Sequence, residues 1–176
     1  MWLSVLSPAA VERAAELTGG DPRERGRFVP SFLDLSKALK QSRVDQTLNT
    51  PSIGTLILLN EQVKWLLDEG GLPAAAAKAR EGADLIADWA AHRGWAQMFV
   101  RDPALRSPVT STVDLVPELP AHEVSRILRS VGIVDIDGYR GLGRNQLRIS
   151  SFPSVPTSDI EALLACVDWV AERALA

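Results

Sequence analysis

The chain has 176 residues, with 19 Lys and Arg against 22 Asp and Glu, for a formal net charge of −3. Hydrophobic residues make up 46% and charged residues 23%, which excludes a disordered tail, a collagen-like chain and a disulfide scaffold, and favours one compact domain or a large piece of one. The mildly acidic balance also excludes a broad electrostatic footprint for nucleic acid, although a small arginine cluster remains able to bind one small anion.

In chain order, Met1-Trp2-Leu3-Ser4-Val5-Leu6 reads as a short buried strand. Ser7-Pro8 reads as an N-cap with Pro at the first helical position, and the helix it opens carries Val11, Ala14, Ala15 and Leu17 as far as Gly19-Gly20. Asp21 to Arg27 is a charged loop. Phe28 to Leu48 is irregular, with one short apolar stretch from Phe32 to Leu35. Thr50-Pro51 opens a second helix, in which Ile53, Leu56, Ile57, Val63, Leu66 and Leu67 fit the 3.6-residue period and Gly70-Gly71 marks the end. A third helix follows at once, with Leu72, Ala76, Ala79, Ala83, Ile86 and Ala90 on one face.

The remainder alternates type. Val109 to Val116 is expected as a strand, and Pro120 precedes a helix with Val124, Ile127, Leu128 and Val131 on one face. Ile133 to Ile136 is expected as a short strand, Gly138 to Gly143 as a glycine-rich loop, and Gln146 to Ser151 as another strand. Ser158-Asp159-Ile160-Glu161 fits a capping box before a last helix carrying Ile160, Leu163, Leu164, Val167, Val170 and Ala174. This order predicts an α+β layer, a small antiparallel or mixed sheet covered by helices.

The single cysteine, Cys166, sits in an apolar run and is read as buried core. His92 and His122 are far apart, so no Cys/His metal site is expected. No apolar run approaches the ~20 residues needed to span a bilayer. The N-terminus lacks the basic region of a signal peptide, so a cytoplasmic location is expected, without a membrane or nucleic-acid partner.

Three places can carry chemistry. Asn49-Thr50-Pro51 stands at a helix start, where free backbone N–H groups and the positive dipole end suit a phosphate; a plain N-cap is the competing reading. In Gln146-Leu147-Arg148-Ile149-Ser150, alternation places Gln146, Arg148 and Ser150 on one face. An Arg on a rigid strand can clamp a carboxylate through two parallel hydrogen bonds, against the reading of a solvated strand face. Tyr139-Arg140-Gly141-Leu142-Gly143-Arg144 adds two more arginines amid glycines, either as part of an anion site or as an exposed connection. No Ser/His/Asp or Cys/His set and no nucleotide-type glycine loop is present.

These places fall together in one family. Gln46-Thr47-Leu48-Asn49-Thr50-Pro51-Ser52-Ile53, Trp65 to Leu72, Gly132-Ile133-Val134-Asp135, Tyr139 to Arg148 and Cys166-Val167-Asp168-Trp169-Val170 resemble, in order, the C-terminal part of phosphoserine aminotransferase of the actinobacterial type. The resemblance implies an α/β fold, the C-terminal portion of a fold-type-I transferase that uses pyridoxal 5′-phosphate. Residues 1–71 would be the end of the cofactor-binding large domain with a connecting helix, and residues 72–176 the C-terminal small domain.

The implied reaction is amino-group exchange between phosphoserine and 2-oxoglutarate in serine biosynthesis, with pyridoxine biosynthesis as a further role, carried out by a homodimer. The resemblance assigns Asn49 and Thr50 to the cofactor phosphate across the dimer interface, Arg148 to the substrate α-carboxylate and Arg140 to the substrate phosphate. Many relatives carry a His-Arg pair where this chain has Tyr139-Arg140. The family's Schiff-base lysine lies before the segment that resembles Trp2 to Leu6, so no catalytic residue is assigned here and the chain alone is expected to be inactive. The competing readings are another class-V aminotransferase relative and a non-catalytic α+β binding or dimerisation module.

Overall fold

The computed structural model describes residues 3–19, 28–139 and 141–176. The first two residues of the expected strand, the charged loop 21–27 and Arg140 lie outside the described residues. The chain divides into two compact units, Met1–Lys64 and Trp65–Ala176.

In the first unit, α1 (Pro8–Thr18) begins as its sequence predicts, with the Ala10 N–H donating to Ser7 Oγ at 3.2 Å and Pro8 in the first turn. It packs on α2 (Leu35–Ser42), a helix in the stretch read as irregular. Asp34 caps α2 by accepting from the Ser36 N–H and, at 2.6 Å, from the Ser36 hydroxyl. Leu35, Ala38 and Leu39 have helical spacing, but eight residues are too few for periodicity to stand out. The segment 3–6 is not a strand: Leu3 is 72% exposed and Val5 fully so, and no neighbouring strand among the described residues takes up their backbone groups.

Helix α3 (Ile53–Asp68) starts two residues later than Pro51. Its first turn closes from the Leu56 N–H to the Ser52 carbonyl at 3.0 Å, so Ser52, not Thr50, stands at the cap. Ile53, Ile57, Leu58 and Leu67 are exposed, and no residue of α3 is buried within the described chain.

The second unit is built on the antiparallel sheet β1-β2-β3, formed by Ala96–Met98, Thr110–Leu115 and Gln146–Ser150. β1 is too short to show alternation and went unpredicted. One face of the sheet is covered by α4 (Gly71–Ala91), α5 (Ala121–Ser130) and α6 (Thr157–Ala174). Val113, Leu147, Ile149, Ile86, Leu128, Ile160 and Val167 form the core between these layers. Gly70, at φ 101°, turns the chain into α4. Leu72, expected on the buried face of that helix, is 82% exposed, because packing begins a turn or more further along.

Three further expectations change. Ile133 to Ile136 forms no strand, since Gly132 at φ 92° and Asp135 at φ 63° bend the chain; only Asp137 bridges to Leu147. The box at Ser158 does not form, because α6 starts at Thr157 without a side-chain cap. Cys166 is half-buried and packs on the rim of the core.

Candidate functional site

The residues singled out by sequence divide between the two units. In the first, Asn49 and Thr50 lie in the segment between α2 and α3. Thr47 Oγ1 donates to the Asn49 carbonyl at 2.6 Å and fixes the turn. Both residues line a cavity of about 500 Å³, whose walls include Phe32, Leu35, Leu39 and Thr47. Among the described residues, neither side chain has a hydrogen-bond partner. A free amide and a free hydroxyl therefore stand next to an apolar hollow. None of the four lysines lines it; Lys37 donates to Ser31 Oγ and Lys64 pairs with Glu61.

In the second unit, the sheet face opposite the helices is polar. Thr112 and Arg148 are cross-strand partners on this face, and so are Asp114 and Gln146. Gln146, read from alternation as a companion of a solvated Arg148, is almost fully buried, with Nε2 donating to Asp114 Oδ1 at 2.7 Å. Backbone explains its cover: a Cβ on Gly138 would stand 2.8 Å from the Gln146 carbonyl oxygen, so the loop lies directly on the start of β3. The Arg148 N–H donates to the Ile136 carbonyl at 3.0 Å, which pins the strand on its other edge.

The two described arginines of this region differ in state. Arg144 grips Asp114 through both nitrogens of its fork, Nε to Oδ1 at 3.2 Å and Nη2 to Oδ2 at 3.0 Å. It also lies over the Phe99 ring at 5.0 Å. The hydrogen bond and then the charge of Asp114 push the Arg144 guanidinium even further up. Arg148 has no carboxylate partner among the described residues and stacks over the Tyr139 ring at 5.6 Å. Asn145, between the pair in sequence, braces the loop: Nδ2 donates to the carbonyls of Leu115, Val116 and Leu119, and Oδ1 accepts from the Ala121 N–H at the start of α5.

The arrangement presents one guanidinium, unpaired among the described residues, from a rigid strand, backed by an aromatic ring. It suits a planar anion. Among the described residues, no group of three or more His, Cys, Asp or Glu side chains is placed to hold a metal. Nor is any described helix long and apolar enough to cross a membrane.

The matches to known proteins cover both sets of residues. A Mycobacterium avium protein named "Putative phosphoserine aminotransferase" is 47% identical over 98% of this chain and 45% of its own length. The phosphoserine aminotransferase of Rhodococcus opacus is 40% identical over the same shares. The chain is related to the phosphoserine aminotransferases. The solved structure of the Bacillus circulans enzyme of that name superposes with a TM-score of 0.74 at 26% identity, over 90% of this chain and 42% of that one. The chain thus spans about 45% of the length of the curated relatives it matches. No protein-family model matches it.

Sequence reasoning singles out Arg148, Asn49 and Thr50 but neither Asp114 nor the contact of Tyr139 with Arg148. The signal for Asp114 was its place in the alternating run of β2, which becomes informative only once its register opposite Gln146 is fixed.

Proposed function

We propose that this chain supplies substrate-anchoring and cofactor-phosphate residues to a phosphoserine:2-oxoglutarate aminotransferase that works as a cytoplasmic homodimer. The observation that carries the reading is Arg148: a strand-borne guanidinium without a carboxylate partner among the described residues, beside an arginine that has one. Its planar fork matches an α-carboxylate, which every amino-acid and oxo-acid substrate of such a reaction bears. Arg140 is assigned to the substrate phosphate, because Arg144 is already committed to Asp114.

Pyridoxal 5′-phosphate would supply the electron sink for the amino-group exchange. The donor set around Asn49 fits its phosphate: the amide and the Thr50 hydroxyl are both unpaired among the described residues and line the hollow. Asn49 and Thr50 would orient the group by donating to phosphate oxygens, and the apolar wall would limit water. The chain spans about 45% of the length of the relatives it matches, and the covalent lysine is assigned to the remainder of that length.

The test is a chimaera in which this segment replaces the matching portion of the Rhodococcus opacus relative. Arg148→Lys keeps the charge but loses the fork, so kcat/KM should fall for phosphoserine and glutamate alike. Arg140→Ala should cost phosphoserine about 10–100-fold more than glutamate, the worth of a charge-assisted hydrogen bond of about 1.5–3 kcal/mol. Equal losses on both substrates for Arg140→Ala would refute the division of roles, and an Arg148→Lys chimaera with unchanged kcat/KM would refute the carboxylate anchor.

A further inference from the structure

Two arginines, Arg144 and Arg148, reach the same polar face of the sheet from positions four residues apart. An arginine cannot be silenced by deprotonation, because its pKa lies far above any working pH. The remaining way to weaken one as an anion site is to offset its charge and occupy its fork with a carboxylate. Asp114 does this from β2. Its side chain is only 20% exposed, it meets both nitrogens of the Arg144 fork, and its Oδ1 is also held by Gln146 at 2.7 Å. The Phe99 ring lies 5.0 Å from the guanidinium, and the Arg144 side chain stays 49% exposed. Arg148, two residues beyond Gln146 on the same face, keeps its charge for a ligand.

We propose that Asp114 is a specificity-determining positioning residue: by holding Arg144 it keeps the Arg148 anchor a site for a single carboxylate instead of a paired-guanidinium site that would capture a dianion. The proposal deepens the reading of Arg148 as the carboxylate anchor and rests on it. Its physical content is a difference of affinities. One guanidinium meets a monoanionic carboxylate through two hydrogen bonds. Two adjacent guanidinia would favour a phosphate, with its doubled charge and extra acceptor oxygens, and a phosphorylated substrate would then be drawn in with its wrong end. Asp114 does not touch the ligand in this account; it acts through Arg144.

The test uses the 176-residue chain with arginine Nε–Hε NMR signals assigned, titrated with inorganic phosphate and, separately, with acetate. In the unmodified chain the Arg148 signal should shift with either anion and the Arg144 signal should stay still. Asp114→Asn/Arg144→Gln, which removes the pair together, should leave both affinities unchanged. In Asp114→Asn the Arg144 signal should respond, and phosphate should bind about tenfold tighter while acetate changes less than twofold. A gain of phosphate binding is the opposite of what loss of a purely structural contact would produce. The proposal is overturned if Arg144 responds in the unmodified chain as strongly as Arg148, if Asp114→Asn/Arg144→Gln binds phosphate as tightly as Asp114→Asn, or if a folded Asp114→Asn chain leaves Arg144 silent. Should Asp114→Asn not fold, the relative responses of Arg144 and Arg148 in the unmodified chain decide alone. If Arg148 is silent to both anions while Asp114→Asn still awakens Arg144, the hold of Asp114 stands and the carboxylate-anchor reading fails.

Discussion

Arg93, just past the end of α4, and Asp168, on α6, form a two-pronged ion pair: Nε donates to Oδ1 at 2.5 Å and Nη2 donates to Oδ2. The same Oδ1 accepts from Trp89 Nε1 at 3.0 Å, and the Arg93 guanidinium lies over the Trp89 ring at 4.8 Å. Trp89 in turn meets Trp95 edge-on at 5.5 Å. One carboxylate thus ties the last helix to the layer under β1. Asp168→Ala should destabilise the second unit by about 1–3 kcal/mol, because it leaves an indole N–H and a guanidinium without their acceptor while both sites remain partly reached by water. Urea unfolding followed by tryptophan fluorescence measures it; a loss below about 0.5 kcal/mol would show that water replaces the carboxylate.

Two helical glycines, Gly82 and Gly54, should respond oppositely to alanine. A Cβ at Gly82 would stand 2.7 Å from Ile160 Cδ1 and 3.0 Å from Ser151 Cβ, so the buried Ile160 side chain would have to repack and the chain at Ser151 give way. Overpacking of this kind costs about 1–3 kcal/mol, more than the ~1 kcal/mol that helix propensity returns. Nothing lies within 4 Å of a Cβ at Gly54, so Gly54→Ala should gain about 0.5–1 kcal/mol of helix stability. Thermal melts of both variants test the contrast, and a stabilised Gly82→Ala chain would contradict the close contact of the helices.

Acid should loosen α2 through its cap. The Ser36 hydroxyl and then the local backbone N–H groups hold the Asp34 carboxyl below its ordinary range. A folded value below the unfolded one means that the stabilisation is complete above about pH 3.9, the ordinary value for Asp, and is lost as pH falls through the lower folded value. Protection factors in α2, from amide exchange corrected for its intrinsic pH dependence, should fall in that window as pH drops from 5, and Asp34→Asn should flatten the dependence. A fall centred well above pH 4 would assign the loosening to another group.

The chain by itself should not transaminate. The covalent lysine is assigned to the part of the relatives' length that this chain does not span, and removal of a covalent catalytic group costs several orders of magnitude. Purified chain mixed with pyridoxal 5′-phosphate, glutamate and 3-phosphohydroxypyruvate should stay far below the ~1 s⁻¹ typical of enzymes. Turnover at that rate would overturn the assignment of the covalent lysine to residues outside this chain.

The sequence by itself determined the elements whose signals are local. Ser7-Pro8 capped α1 because the cap and its donor lie three residues apart, and the long apolar periods of α4 and α6 placed Ile86, Ile160 and Val167 in the core. Arg148 was legible because a strand's alternation fixes which side chains share a face. Tertiary structure alone decided which arginine is free. Arg144 and Arg148 look alike in sequence, and they differ because the register of β2 against β3 brings Asp114, thirty residues away, onto one and not the other. The same reason explains the misplaced boundaries. Ser52 replaced Thr50 at the cap of α3, the stretch at Ile133 did not become a strand, and Gln146 was buried, because each outcome turned on hydrogen bonds or packing that residue type and spacing do not encode.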